Sequence, residues 1–263
     1  MNCLSGGRLK TVASMVCAAL VAVMASTAAA QTADEVIAKN IEAQGGKKAL
    51  LGIKGLERKG NVAVDGSFGQ MEGTIEEISI PWKKARRGLD LAIFVQTDGF
   101  NEKAAWREDM NGVREIEGEE AAQIKSSVEL NPFVTLADRG AKAEKLEDGK
   151  VDDVDCYVLQ VSIKDRPPIK FFIDKATNLI KRSSLTQSNP QFGEIEVVMD
   201  FGDYKEFGPI KLANKNKIAL GEALQIETTY TETKVDGKID EKIFDKPEEK
   251  KEEAKEEKKD DAK

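Results

Sequence analysis

The chain has 263 residues, 40 of them basic and 47 acidic, and a formal net charge of −7. It contains no histidine, which excludes Ser-His-Asp and Cys-His catalysis and histidine-bound zinc or iron. The acidic balance argues against nucleic acid as the main partner.

Met1–Lys10 carries Arg8 and Lys10 and no acid, Thr11–Ala25 is a short apolar run, and Ala28-Ala29-Ala30 follows. A basic start, an apolar core and a small-residue site predict a secretory signal peptide, residues 1–30, cleaved after Ala30. The run is too short for a membrane span, so no retained transmembrane segment is expected. Lipidation at Cys17 lacks the small residues it needs, since Met15-Val16 precede it. Cleavage removes Arg8 and Lys10 and leaves 38 basic against 47 acidic residues, or −9. Cys3 and Cys17 leave too, so Cys156 is alone and has no internal disulfide partner. It reads as a small, inert thiol beside an apolar strand. Roughly 230 residues remain, enough for one large all-β or α+β domain.

Thr32–Glu35 opens an amphipathic helix in which Val36, Ile37 and Ile41 recur at helical spacing; Gly45-Gly46 ends it. A short second helical turn spans 47–51. Strands follow over Leu56–Val64 and Gln70–Ile80, joined at Asp65-Gly66 and limited by Pro81. Lys83–Leu91, Ala92–Thr97 and Ala104–Asp109 continue the meander, with Asp98-Gly99 and Asn111-Gly112 as turn dipeptides. The pattern becomes helical over Glu119–Ser127 and Leu130–Asp138, which makes this insertion a second cover for the sheet.

Strands resume near Ala143, turn at Asp148-Gly149, and run through Tyr157–Ile163. There Tyr157, Leu159, Val161 and Ile163 share a buried face, and Val158, Gln160 and Ser162 a wetter one. Ile169–Asp174 and Leu179–Thr186 are joined at Thr177-Asn178. Gly193–Val235 then holds three long strands punctuated by Gly-Asp, Gly-Pro and Gly-Glu. Asp236-Gly237 and Ile239–Phe244 close a domain spanning 31–246. Residues 247–263 (PEEKKEEAKEEKKDDAK) have nothing to bury and read as a disordered charged tail. The predicted fold is α+β, mostly β: an antiparallel sheet covered by an N-terminal helix and a mid-chain helical insertion.

This order of motifs resembles the outer-membrane lipoprotein-sorting (LolA-like) superfamily. Glu35–Ala38 through Gly45-Gly46 to Ile53–Leu56 resembles its N-terminal helix and first strand. Pro81-Trp82-Lys83-Lys84-Ala85-Arg86, and Thr97-Asp98-Gly99 with Trp106, resemble two further strand signatures. Phe172-Ile173-Asp174 with Asn178–Arg182, Asp200–Tyr204 with Gly208-Pro209-Ile210, and Asp240–Pro247 with Phe244 complete the series. The resemblance implies a sheet curved into an open half-barrel, helices across its mouth, and a hydrophobic cavity for acyl chains. It implies an exported, periplasmic or secreted, non-enzymatic carrier or binder of an apolar ligand: a lipid, or a lipoprotein's acyl chains. A protein-interaction or sensor module on the same fold, acting on envelope proteins, is the alternative. No cofactor and no metal are expected.

The candidate ligand contacts are the aromatics Phe94, Trp106, Phe133, Tyr157, Phe172 and Tyr230, which ordinary core packing would use equally well. Lys83, Lys84, Arg86 and Arg87 read as a solvated sheet edge, with an anionic headgroup as the sharper alternative. Asp152, Asp153 and Asp155 lack the glycine and distal glutamate of a calcium loop and read as an acidic turn. Glu76-Glu77 and Glu119-Glu120 are adjacent pairs, and on a strand such carboxylates point apart.

Overall fold

The computed structural model describes residues 31–164, 166–189 and 193–248. The expected signal segment and most of the expected tail lie outside these residues.

Helix α1 (Ala33–Ala43) starts from a reciprocal cap. The Glu35 amide donates to Thr32 Oγ1 at 3.3 Å, and the Thr32 amide donates to Glu35 Oε2 at 2.9 Å. Gly45 and Gly46 end the helix with positive φ, and α2 (Lys47–Gly52) follows. Strands β1 (Leu56–Gly66), β2 (Gly69–Ile80), β3 (Lys84–Asp90), β4 (Val95–Phe100), β5 (Ala105–Asp109) and β6 (Gly112–Ile116) then form consecutive hairpins. Helix α3 (Gly118–Ser126) leads into a link that ends at β7 (Lys142–Lys145). The meander resumes through β8 (Gly149–Val151), β9 (Val154–Ser162), β10 (Ile169–Asp174), β11 (Ile180–Asn189), β12 (Gly193–Phe207), β13 (Ile210–Leu220) and β14 (Leu224–Val235). A 3-10 turn, Glu241–Phe244, closes the chain.

All strands join one antiparallel sheet in the order β6-β5-β4-β3-β2-β1-β14-β13-β12-β11-β10-β9-β7, with β8 also on β9. The first and last strands meet in the middle, so the edges are β6 and β7, which are joined in sequence by α3 and its link. The sheet is therefore a curved, open half-barrel, not a closed one. Two of the packed clusters on its inner face carry the cover. Val36, Phe133, Leu159, Phe171, Ile173 and Ile180 form one. Leu50, Ile53, Leu56, Val134, Ile210 and Leu212 form the other. Both place α1, α2 and the link after α3 on that face.

Several local expectations change. Leu130–Asp138 is a chain of turns and not a helix. Its Asn131 side chain accepts from the Phe133 amide at 2.8 Å, and the Val134 and Leu136 amides donate three residues back. Gly202-Asp203 does not turn; β12 runs straight through it, with Asp203 at φ 50° and bonded by Asn214. The basic cluster 83–87 is not at an edge. β3 lies between β2 and β4, because Arg86 and Arg87 meet Glu76 and Glu77 across the strand at 3.5 and 3.7 Å. On β9 the face expected to be wetter is covered at Val158, as at Cys156 before it, and opens through half-buried Gln160 to exposed Ser162.

Asp98-Gly99 is likewise within β4, and the turn falls at 101–104. The glycine serves close packing: a Cβ there would lie 2.1 Å from the Trp106 ring. Trp106 is buried on the outer face, where its Nε1 donates to the Phe244 carbonyl at 2.9 Å. The C-terminal turn is thus a cover of its own.

The β5–β6 turn is fastened by charge. Asp109 accepts from the Asn111 amide at 2.8 Å and from Arg114 at 2.9 Å. Arg114, then the Asn111 amide, hold its carboxyl down at about 2, from 3.8. A depressed folded value means the contribution is present above pH 3.8 and disappears as pH falls through about 2. Protection of the Asn111 amide from exchange, taken against its intrinsic rate at each pH, is therefore expected to fall across that window in the native chain, and Asp109→Asn should remove that fall.

Candidate functional site

In an antiparallel sheet, residues directly opposite one another share a face, so the register identifies the inner surface strand by strand. Leu56, packed under α2, fixes the inner face of β1, and Val62 and Val64 follow it at period two. Val64 stands opposite Ile226 on β14 and Met71 on β2. Ile226 faces Ile218 on β13, and Ile218 faces Met199 on β12. Leu224, Leu220 and Val197 form the next row, and Leu185 faces Val197 from β11. Most of these aliphatic side chains are only half-buried. Together they make an open apolar trough along the inner face, beside the covered part.

The cover is held by buried amides. Asn131 Nδ2 donates to Asn40 Oδ1 at 2.8 Å and also to Gln44 Oε1. Asn40 Nδ2 donates to the Asn178 carbonyl at 2.7 Å, and Gln44 Nε2 to the Lys211 carbonyl at 3.2 Å. Asn40 and Asn131 are fully buried. This network ties α1 to the sheet and the link to α1. Removing one member strands the others, so Asn131→Ala is expected to cost about 2–4 kcal/mol in urea unfolding. Proteolysis within 127–141 should accelerate in parallel.

A row of charges crosses the same face above the trough. Arg58, Glu77, Arg87, Asp98 and Arg107 stand opposite one another in succession on β1 to β5. The Arg58 guanidinium lies 3.4 Å over the Tyr230 ring and donates to the Ala213 carbonyl at 2.5 Å. Burial lowers its pKa, while Tyr230 and Glu77 oppose that shift. The Tyr230 hydroxyl donates to Glu77 Oε2 at 2.7 Å, and burial, followed by Glu77, raises its pKa. Arg107 pairs with Asp98 at 2.6 Å and reaches Glu120 of α3, so the row also holds the cover helix. Paired in this way, these groups shape the site and leave no free acid and base facing each other.

Of the six candidate aromatics, Phe133, Tyr157 and Tyr230 are on the inner side. Phe133 packs edge-on against Phe171 at 5.0 Å, and Tyr157 borders the same cluster. Trp106 is under the C-terminal turn on the outer face. Phe172 also points outward: it stands opposite Val158 on β9, and Phe171 and Ile173 on either side of it belong to the inner cluster. Phe94 is in the β3–β4 link, partly exposed. The residues that line the trough are aliphatic, and their sequence signal is the alternation in Ile218–Leu220 and Leu224–Ile226. Two shallow outer grooves, of about 150 and 410 Å³, are walled by polar side chains including Thr74, Glu76, Arg86 and Asn61.

No protein-family profile and no curated protein matches the chain. Solved structures do. A DUF1329 family protein from Desulfovibrio piger superposes with a TM-score of 0.59 at 11% identity, covering 81% of this chain and 97% of that one. A LolA superfamily protein from Nitrosomonas europaea gives 0.56 at 11% identity, over 82% and 99%. A domain assigned to outer membrane lipoprotein sorting, from Vibrio parahaemolyticus, gives 0.55 at 10% identity, over 80% and 94%. At such identity the likeness reaches the architecture and stops there: this chain has the LolA-like fold.

Proposed function

We propose that the protein is an exported, non-enzymatic carrier or binder of an apolar ligand in the bacterial envelope, its cargo a lipid or a lipoprotein's acyl chains. The apolar trough carries this reading. Half-buried aliphatic side chains on a sheet face remain costly to hydrate until something apolar lies on them. The lining we assign is Met199, Ile218, Leu220 and Ile226, beside the buried Val62 and Val64, with Tyr157 and Phe133 where the trough meets the cover. A long methylene chain suits it, because the surface offers dispersion contacts and few hydrogen-bond partners. Export rests on the basic start, short apolar run and small-residue site of residues 1–30. The solved structures that share the fold include one assigned to lipoprotein sorting, in keeping with a periplasmic place of action.

Native mass spectrometry of the protein purified from its own envelope, followed by solvent extraction, tests this. Extra mass that extracts as an apolar molecule is the expected result. A clean apo mass, with an envelope protein bound at fixed stoichiometry, would replace the carrier with a protein-interaction module.

A further inference from the structure

Five large apolar side chains stand uncovered at one end of the sheet. Phe68 is 62% exposed in the β1–β2 turn, and Met110 is 86% exposed in the β5–β6 turn. Ile93, Phe94 and Val95 are 83%, 37% and 54% exposed where β3 passes into β4. Among the described residues one other large apolar side chain is exposed, Leu51 on α2. Because β1 to β6 are sequential hairpins, these three links leave the sheet at the same end. Adjacent links are two strands apart, about 10 Å.

The row continues into the trough. Leu91, at the start of the β3–β4 link, is buried against Val62 and Val64, with Met71 and Leu224 beside them. The links carry no lysine or arginine: they read DGSFGQ, DLAIFV and DMNG. Their carboxylates bond within the turns. Asp90 accepts from the Ala92 amide at 2.9 Å, Asp65 from Gln70 at 3.3 Å, and Asp109 as described above.

We infer that this end of the sheet docks on a lipid bilayer with neutral headgroups, each link inserting its apolar side chain shallowly. Separate protruding side chains bury readily in a deformable apolar medium, whereas a protein partner needs a contiguous complementary patch. With no cation in the links, docking does not depend on anionic lipid. Continuity with the trough lets an apolar cargo pass between bilayer and protein without crossing water; that corollary rests on the carrier reading, and the docking does not.

Sedimentation of the exported chain with phosphatidylcholine vesicles tests the inference. The chain should co-sediment, equally at low and high salt. The triple variant Phe68→Ser, Ile93→Ser, Met110→Ser should partition at least about tenfold more weakly, with unchanged circular dichroism, and Leu51→Ser should behave as the native chain. An environment-sensitive dye on Met110→Cys should shift to the blue when vesicles are added. The inference is overturned by a native chain that ignores neutral vesicles or binds only anionic ones, by a triple variant that binds normally, or by an unshifted dye. Self-association through these links without vesicle binding overturns it as well. Extracted cargo that is the same in the triple variant would leave the carrier reading standing whichever way docking falls.

Discussion

The double variant Ile218→Asp, Ile226→Asp is expected to lose binding of an apolar fluorescent probe such as N-phenyl-1-naphthylamine, by at least about tenfold. The two side chains face each other across β13 and β14 on the inner face, and both are half-buried. Two carboxylates there put charge in the path of a methylene chain and desolvate badly beneath it. The sheet itself should survive, because these positions still reach water in the unliganded chain. Unfolding by urea separates the outcomes: a large fall in probe binding with a small shift in midpoint fits the trough. Equal probe binding in the native and double-variant chains would place the probe elsewhere.

A large stability effect is expected at Gly45. Its φ is 116°, a region where a side chain is strained, and a Cβ would sit 2.2 Å from the Pro209 carbonyl oxygen. The contact is backbone on both sides, so no rotamer relieves it. It is also where the end of α1 is seated on the β12–β13 turn: the Lys211 amide donates to the Gln44 carbonyl at 3.0 Å. Gly45→Ala should therefore cost about 3 kcal/mol or more and lower Tm by roughly 6–12 °C. Gly52, with open space around it, is the control, and Gly52→Ala should change Tm little. If the two variants melted alike, α1 would not be docked as described.

Much of the architecture is legible in the sequence, for a physical reason. Strand alternation and turn dipeptides are local, and hairpins convert local order directly into neighbours in the sheet. The run from Gly193 to Val235 shows this: β12, β13 and β14 lie side by side in chain order, parted at Gly208-Pro209 and Gly221-Glu222. What failed was set at long range. The 130–138 segment has helical spacing, yet the Asn131 amide bonds Asn40, 91 residues away, and holds the chain in turns. On β5 the alternation Ala105, Trp106, Arg107 is plain, but which face is inner is not. The arginine turns inward to Asp98 and the tryptophan outward, because the C-terminal turn covers it. Period two conveys alternation and not direction. Aromatics therefore proved a poor guide to the inner face, while the aliphatic alternation in β13 and β14 marks it.

The most direct test of the trough is photocrosslinking in the envelope. A benzophenone side chain is placed at Ile218 on the inner face, or at Thr229 on the outer face of the neighbouring strand. The intact mass is then measured after irradiation. An apolar adduct that stays on the protein after solvent extraction is expected at position 218, and none at 229. Adducts at 229, or a protein adduct alone at 218, would contradict it.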